Sequence, residues 1–197
     1  MPHSFWHTVN WNDETKIELY GHNHIWRGIN KAYSEQNTIP TVKHGDGSLM
    51  FWEGVSSKGM GNHGKMYGKM NAACYQKILA DHLHSSARKL CMGCSWTFQH
   101  DNDTKHKGKL TPQWLQQKKL KVLAWPSQTP DVHFIEPLWG DLKHAVHARR
   151  PKTLHDLEAF CQDEWAAIPP AIIWGLIDNY YKRLHAVIDA KRSNTPY

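Results

Sequence analysis

The sequence is poor in cysteine and contains no long hydrophobic stretch. Only 4 of its 197 residues are cysteine, too few and too scattered for a disulfide scaffold. Cys91 and Cys94 have the spacing of a zinc ligand pair, but no second pair stands at a matching spacing, so free thiols in a reducing compartment are the favoured interpretation. No apolar run approaches the roughly 20 residues that cross a bilayer, and the first residues lack the pattern of a secretory signal. We therefore expect neither a disulfide-rich secreted protein nor a membrane-spanning one.

Basic residues are in excess over acidic ones. The chain has 24 Lys and Arg against 18 Asp and Glu, which gives a formal net charge of +6 and a pI near 9.1. Lysines concentrate between residues 105 and 121, and a second basic cluster lies at 143–152. This balance fits a polyanionic partner and a solvated lysine surface equally well. With 40% hydrophobic residues and 10 tryptophans, the chain is expected to fold, and its length suits one domain.

The hydrophobic pattern changes its period partway along the chain. Before residue 70, short alternating or β-branched runs predict strands at 5–12, 17–20, 41–43, 48–55 and 64–67. Beyond it, apolar residues recur three and four positions apart, which predicts helices at 75–90, 112–118, 135–146, 154–167 and 170–190, with buried strands at 96–99 and 120–125. Strands followed by alternating strands and helices predict an α/β protein with a mixed sheet in a single domain.

Three acidic residues stand where predicted elements begin or end. Asp13 follows the first strand, Asp101 follows the strand at 96–99, and Glu136 opens a helix. Strand ends in α/β folds are common places for functional sites. Converging carboxylates need cations, and oxygen ligands prefer Mg²⁺ or Mn²⁺, a pair of which promotes phosphodiester chemistry. Taken singly, each acid is also explained as a turn or helix-end residue. The residue types alone therefore lead no further than an α/β domain, with phosphate handling as one option.

Five ordered motifs carry a resemblance to a known family. They are Trp11-Asn12-Asp13-Glu14-Thr15-Lys16, Pro40-Thr41-Val42-Lys43-His44-Gly45, Phe98–His106, Trp125–Asp131 and Ile135–Trp139. The segment Trp165–Pro169 fits as well, and 34 residues lie between Asp101 and Glu136. In this order and spacing the motifs resemble the catalytic domain of the Tc/mariner-superfamily transposases, which are of the DDE type. The resemblance covers nearly the whole chain.

The resemblance implies a fold, a site and a reaction. The fold would be α/β and ribonuclease-H-like, with a mixed sheet flanked by helices in one catalytic domain over 1–197. Its core would span about 5–150 and its C-terminal helices about 153–190. Asp13, Asp101 and Glu136 would be the catalytic residues and would hold two Mg²⁺ or Mn²⁺ ions, with Asp13 shared between them. Water would cleave DNA at a transposon end, and the freed 3′-hydroxyl would then attack target DNA. Such chemistry depends on positioning and charge neutralisation.

The same resemblance implies DNA as the partner, contacted mainly through its backbone. The residues expected to contact phosphate are basic ones near the site, namely Lys105, His106, Lys107, Lys109, Arg149 and Arg150. More broadly, the lysine-rich stretch 105–121 is expected to give salt-sensitive binding. The family further implies a nuclear location and a homo-oligomer as one option, with no membrane association and no small-molecule cofactor.

Two departures from the family pattern qualify these expectations. Family members carry N-terminal helix-turn-helix modules that read the transposon ends, and none precedes the first strand here. We therefore expect a truncated transposase or a mobile-element remnant, with a non-catalytic nucleic-acid-binding or interaction protein derived from a transposase as the alternative. The second departure is local. His133 and Phe134 replace the usual Asn-Pro, and Pro137 follows Glu136, which predicts that Glu136 lies at the helix boundary.

Overall fold

A four-stranded mixed sheet lies at the centre of the computed structural model, which describes residues 1–20, 47–67, 70–101, 110–125, 133 and 135–189. The strands are β1 (Val9–Glu18), β2 (Ser48–Ser56), β3 (Gly59–Met66) and β4 (Thr97–Gln99). Their order across the sheet is β3-β2-β1-β4. β2 runs antiparallel to both β1 and β3, whereas β4 runs parallel to β1. The prediction of an α/β protein with a mixed sheet is confirmed.

The first strand differs from its prediction at both ends. A 3₁₀ helix over His3–Thr8 occupies the start of the strand predicted at 5–12. It is closed by the amide of Phe5, which donates to the carbonyl of Pro2 at 3.0 Å. The strand therefore begins at Val9, and it continues without interruption through the second predicted run as far as Glu18. Continuous pairing with β2 holds the polar residues between the two runs in extended form. The strand predicted at 41–43 lies outside the described residues.

The helices match the predicted segments closely. They are α1 (Ala72–Ile78), α2 (His84–Lys89), α3 (Leu110–Gln117), α4 (Glu136–Ala148), α5 (Leu154–Ala167) and α6 (Pro170–Asp189). A π-helical turn over Leu79–Leu83 joins α1 to α2 where one regular helix is predicted. The Asn71 side chain caps α1, and Thr153 with Asp156 forms a capping box on α5. No helix among those described has the length and apolarity to span a bilayer.

The strand predicted at 120–125 is reduced to one bridge. Phe98 pairs with Val122 in a parallel bridge outside the named strands. The Phe98 amide donates to the Lys121 carbonyl at 2.7 Å, and the Leu123 amide donates to the Phe98 carbonyl at 2.8 Å. β4 itself is only three residues long, so the segment has little partner backbone to pair with. It nevertheless lies along the outer edge of β4 and extends the sheet by one position.

Two apolar clusters cover the two faces of the sheet. The first contains Val9, Trp11 and Ile17 of β1 together with buried residues of α4, α5 and α6. The second contains Trp52 and Phe98 together with buried residues of α1, α3 and the π-helical turn. Side chains alternate between the faces along a strand. The odd-numbered residues of β1 therefore point toward α4, which determines where a polar side chain on that strand can act.

Gly54 of β2 lies close to two buried asparagine side chains of β1. It pairs with Asn12 across β1 and β2, next to an irregularity in the β2–β3 pairing. A Cβ atom at Gly54 would overlap the Asn12 side-chain oxygen and lie 3.1 Å from Asn10 Oδ1. The Asn12 amide is itself tied back, because its Nδ2 donates to the Asn10 carbonyl at 2.9 Å. The buried asparagines therefore need glycine opposite them.

We expect Gly54→Ala to lower the free energy of unfolding by about 1–3 kcal/mol, because the methyl group overpacks this buried contact. Gly140→Ala is the matched control, since nothing lies within 4 Å of a Cβ atom at that helical position. The control should stabilise by about 0.5–1 kcal/mol, because alanine is the better helix former. Denaturant unfolding of both variants measures the difference. Equal stability of Gly54→Ala and the wild type would show that the asparagines can move aside.

Candidate active site

Asp13 lies in the interior part of β1, on the face that packs against α4. Its side chain is 17% exposed, although it belongs to the same strand face as the buried Trp11 and Ile17. On the neighbouring strand, Glu53 stands directly opposite it. The residue pattern of β1 therefore places a carboxyl group at the border of the first apolar cluster. A carboxylate in such a place requires compensation by a hydrogen bond, an opposite charge or a metal ion.

Two side chains contact the Asp13 carboxyl group directly. Trp139 of α4 donates its indole Nε1–H to Asp13 Oδ2 at 3.1 Å. His133 Nδ1 lies 3.7 Å from the same oxygen, which is an ion-pair distance and too long for a good hydrogen bond. The Trp139 ring is stacked on Trp165 of α5, with ring centroids 5.2 Å apart. Packing between two helices thus aims the donor at the carboxylate.

Burial dominates the electrostatics of Asp13. It raises the pKa of the Asp13 carboxyl to about 6, because the charged form loses hydration. The nearby His133 opposes this rise, Glu14 adds to it, and the Trp139 hydrogen bond opposes it again. The protein groups therefore compensate only part of the desolvation. A carboxylate left in this condition is a strong ligand for a cation, which would restore the missing compensation.

A chain of hydrogen bonds orients the His133 ring. The Asn12 backbone amide donates to Gln99 Oε1 at 3.4 Å, which turns the Gln99 amide nitrogen toward His133 Nε2, also at 3.4 Å. An amide nitrogen can only donate, so while the His133 ring is neutral its Nε2 accepts and its proton resides on Nδ1, the atom that faces Asp13. Trp125 packs edge-on against the same ring with centroids 5.8 Å apart. The Nδ1 edge of the His133 ring is thereby directed at the Asp13 carboxylate.

Asp101 lies two residues beyond the end of β4, the strand that pairs in parallel with β1. The pairing of β1 with β4 includes Trp11 opposite Gln99. Continuing this register by two residues sets Asp101 level with Asp13, and both side chains then project to the same face. Their common neighbourhood is also visible in Tyr75, whose pKa is raised first by burial and then by Glu14, Asp101 and Asp13. The charges of these two predicted site residues therefore both act on Tyr75.

Glu136 occupies the first position of α4, and its side chain is exposed. The expected helix boundary at this residue is confirmed, because Pro137 lies in the first turn, where proline is well tolerated. Residues three apart lie on the same side of a helix, so Glu136 shares a side with Trp139, the residue that contacts Asp13. The N-terminal turn of α4 thus carries the third predicted carboxylate on the helix that contacts Asp13 through Trp139.

The residues present fit a hard divalent cation such as Mg²⁺ or Mn²⁺. All three carboxylates offer oxygen ligands, and the Asp13 carboxyl is buried and incompletely compensated. Within the described ranges, the three do not form a set in which every ligand atom lies within 4.8 Å of the others. They are therefore too far apart to share one ion. A pair of ions with Asp13 between them does not need such close convergence.

A second buried carboxylate lies in the adjacent strand. Glu53 is fully buried and pairs with His63 across β2 and β3. Burial raises the pKa of Glu53 to about 7, and the hydrogen bond and charge of His63 oppose the rise. Asp13, Glu53 and His63 thus occupy one row that crosses three strands of the sheet. This row was not among the predictions from sequence.

The predicted DNA-contacting residues divide into three groups. Lys105, His106, Lys107 and Lys109 lie outside the described residues. Arg149 is engaged within the fold, because it forms ion pairs at 3.1 Å with Asp163 and Glu164 and lies 3.8 Å above the Phe160 ring centre. Arg150 is exposed. The geometry thus gives Arg149 a structural role in joining the end of α4 to α5, and leaves Arg150 accessible to solvent.

Lysines also line a cavity at the far edge of the sheet. The cavity, of about 390 Å³, is bordered by Lys118, Lys119, Lys121 and Trp96, among others. All three lysines are exposed. A cleft with cations and an aromatic ring on its walls suits a phosphate backbone with a stacked base. These lysines belong to the stretch 105–121 that was expected to contact phosphate.

Two residues of the site were missed as functional from the sequence. His133 was noted only as a replacement in the family motif, and Trp139 only as the last residue of the motif Ile135–Trp139, within a predicted helix. The sequence offered one signal that His133 could belong to the site, which is its place between two prolines and shortly before Glu136. Nothing in the local pattern distinguishes the indole donor of Trp139 from a core tryptophan, because its partner is 126 residues away in the chain.

A family model, a sequence relative and a solved structure all indicate the same kind of protein. A family model described as DDE superfamily endonuclease matches residues 8–158. The chain is 35% identical over 195 residues to the transposable element Tcb1 transposase of Caenorhabditis briggsae, covering 98% of this chain and 71% of that one. It resembles the Mos1 transposase paired-end complex with left transposon end, with a TM-score of 0.83 and 18% identity over 98% of this chain and 57% of that chain.

A second solved structure shows how much of the chain the similarity in fold covers. The Mos1 transposase catalytic domain solved with Raltegravir and Mg matches with a TM-score of 0.73 and 17% identity, over 97% of this chain and 87% of that one. At these identities the likeness concerns the fold, and it confirms the ribonuclease-H-like α/β domain expected from the sequence. The chain spans 57% of the paired-end-complex protein but most of the catalytic-domain structure.

We expect Asp13→Asn to stabilise the metal-free protein at neutral pH. A carboxyl whose pKa is raised by folding stabilises the fold when protonated, below about pH 4, and loses that contribution as the pH rises through about 6. Asparagine keeps an acceptor for Trp139 without the charge. The gain in the free energy of unfolding should grow between about pH 4 and 6 and level off at roughly 2–3 kcal/mol.

Denaturant unfolding across this pH range, in the presence of a chelator, measures the effect. Asp141→Asn on the exposed side of α4 is the matched control and should show no such trend. A variant Asp13→Asn that is no more stable than the wild type above about pH 6 would contradict the compensation deficit.

Proposed function

The chain belongs to the DDE superfamily endonuclease family, and on that premise we propose that it is a transposase catalytic domain that cleaves DNA and transfers the freed strand. The observation that carries the proposal is the incompletely compensated Asp13 carboxyl group, which lies on the strand next to the one that leads to Asp101 and accepts a hydrogen bond from the helix that begins at Glu136. Oxygen ligands from three separate elements are the arrangement that phosphodiester chemistry requires. The catalytic and metal-binding roles of these three residues are part of the proposal.

Two Mg²⁺ or Mn²⁺ ions would supply activation of the attacking oxygen and stabilisation of the leaving oxygen. The chain's own contribution is to position the ligands. Trp139 and His133 fix the orientation of Asp13, while the parallel register fixes Asp101 relative to it. The solved catalytic domain of the Mos1 relative contains Mg, which supports divalent metal use. The count of two ions is part of the proposal and rests on the resemblance of the sequence motifs to the family.

Backbone contacts to DNA complete the proposal. The Mos1 relative was solved with a transposon end, and this chain carries a formal net charge of +6. Among described residues, the lysines at 118, 119 and 121 offer an accessible basic cleft, and Arg150 adds an exposed cation. Phosphate contacts of this kind give affinity without sequence preference. We further propose nuclear residence, which action on chromosomal DNA requires, and assembly as a homo-oligomer, since an element has two ends.

We expect the purified chain to nick supercoiled plasmid with Mn²⁺ and to lose this activity in the presence of a chelator. Asp101→Asn and Glu136→Gln should lower the nicking rate about 100-fold or more, since each removes one oxygen ligand with little change in shape. Trp139→Phe should lower it by about 10–100-fold, because it removes only the hydrogen bond to a ligand. Initial rates of conversion to the nicked form measure all three.

Asp141→Asn is the control for nicking, because it removes an exposed carboxylate from the same helix. Its rate should equal that of the wild type. Nicking that is absent from the wild type under these conditions, or that persists unchanged in Asp101→Asn, would contradict the catalytic proposal. The first result, together with intact DNA binding, would favour the alternative of a non-catalytic nucleic-acid-binding protein derived from a transposase.

DNA binding should weaken steeply as salt rises from about 50 to 200 mM, as expected for phosphate contacts. We expect the double change of Lys118 and Lys119 to alanine to lower affinity and to reduce the logarithmic salt slope by about 2. Fluorescence anisotropy with a short duplex of arbitrary sequence measures both quantities.

Lys182→Ala serves as the comparison for the salt experiment. Lys182 is exposed on α6, a helix that packs on the opposite face of the sheet from Trp96. Its replacement should leave the slope unchanged. A salt slope that is the same in the wild type and in the double variant would remove the lysine cleft from the DNA-binding surface.

A further inference from the structure

A second group of potential metal ligands lies where the N-terminal 3₁₀ helix meets α6. His3 and His7 are on the N-terminal 3₁₀ helix, and Asp178 is on α6. One ligand atom from each lies within 4.8 Å of the other two, and within the described ranges no other three His, Cys, Asp or Glu side chains meet this condition. His3 Nε2 lies 3.3 Å from Asp178 Oδ1. Two elements that are distant in sequence thus bring three ligands to one point.

The two imidazoles of this group differ in their contacts: His3 Nε2 lies 3.2 Å from the Asp178 backbone carbonyl, a contact that it would give up on binding a metal ion. Nδ1 of His7 is buried and has no hydrogen-bond partner among the described residues. Its ring is held by Trp174, whose ring centroid lies 4.7 Å away, and the His3 ring lies 6.1 Å from Tyr181. Aromatic side chains of α6 therefore orient both imidazoles. A buried ring nitrogen without a partner costs free energy, which ligation of the imidazole would offset.

The donor set differs in kind from the carboxylates at Asp13. Two imidazole nitrogens and one carboxylate oxygen suit Zn²⁺ and similar transition metals, which bind such ligands at about 2.0–2.2 Å. Ligand atoms around one tetrahedral ion are then about 3.5 Å apart, so small side-chain rotations from the present separations are sufficient. The side chains of His3 and Asp178 are each about half exposed, at 45% and 46%. This exposure leaves room for water as the remaining ligand.

We propose that His3, His7 and Asp178 form a binding site for a transition-metal ion of the zinc class, which fastens the N-terminal 3₁₀ helix to α6. The 3₁₀ helix continues directly into β1, the strand that carries Asp13. Ligation at this site would brace the entry of that strand against the last helix. The site would be structural, and it is separate from the oxygen ligands proposed for catalysis.

Cobalt titration of the full 197-residue chain, purified without a histidine tag, tests the site. Co²⁺ is the probe because it replaces zinc and absorbs visible light when bound. Cys91 and Cys94 are exposed free thiols with a zinc-like spacing, so every sample carries Cys91→Ser and Cys94→Ser. Excess Mg²⁺ is included to occupy the carboxylate site. We expect one equivalent of Co²⁺ to bind and Zn²⁺ to displace it, with a rise in Tm on zinc addition.

Loss of ligands should weaken this binding selectively. His7→Gln and Asp178→Asn should each lower Co²⁺ affinity by about 10-fold or more, since removing a direct ligand costs at least as much as removing its supporting contact. His185→Gln, also exposed on α6, and Asp101→Asn should leave the affinity unchanged. Circular dichroism and Tm without metal establish that each variant is folded.

Two results would overturn the proposal. One is the absence of stoichiometric Co²⁺ binding by the folded chain that carries Cys91→Ser and Cys94→Ser, in the presence of Mg²⁺. The other is binding that His7→Gln and Asp178→Asn, both folded, leave unchanged, which would assign the metal to other residues. Binding that is lost in Asp101→Asn but retained in these variants would assign it to the carboxylate site. Nicking activity is measured separately, so failure here leaves the proposed function standing.

Discussion

The burial of one carboxyl group, that of Asp13, is the constraint on which the rest of the site depends. Desolvation costs the ionised form more than the protein returns through Trp139 and His133, and the pKa of the carboxyl rises to about 6. This incomplete compensation favours metal binding, because a divalent cation can supply the positive charge that the neighbouring protein groups do not. The stacking of Trp139 on Trp165 holds the hydrogen-bond donor to this carboxyl group, and the parallel pairing of β4 with β1 holds the neighbouring strand. Each holds a group in a fixed place around that carboxyl.

A second buried carboxyl group, on the strand next to Asp13, also lowers the stability of the fold. Glu53 lies opposite Asp13, is fully buried, and has a pKa raised to about 7 despite its contact with His63. Both carboxyl groups therefore destabilise the metal-free fold as the pH rises toward neutrality. Two extensive apolar clusters on either side of the sheet oppose that loss. The two buried carboxyl groups thus lower the stability of the metal-free domain, and such perturbed groups are typical of active sites.

Much of this organisation was predictable from sequence, for identifiable physical reasons. Asp13 and Asp101 were selected because strands were predicted to end just before them, although Asp13 in fact lies within β1. The helix α4 was predicted because its apolar residues recur with a helical period. The contact of Trp139 with Asp13 was not, since it joins residues distant in the chain and depends on how a helix packs. The single bridge at Val122 and the π-helical turn at Leu79–Leu83 were also missed, because pairing partners and neighbouring packing override local propensity.

Location of bound manganese tests the central claim most directly. Crystals of the wild-type chain soaked in Mn²⁺ at neutral pH, with data collected near the manganese absorption edge, would locate the ion by anomalous scattering. The account predicts a peak within about 2.2 Å of an Asp13 carboxylate oxygen, with Asp101 as a second ligand, and loss of that peak in Asp13→Asn. A wild-type crystal with no anomalous peak at Asp13, or a peak that Asp13→Asn leaves in place, would contradict it.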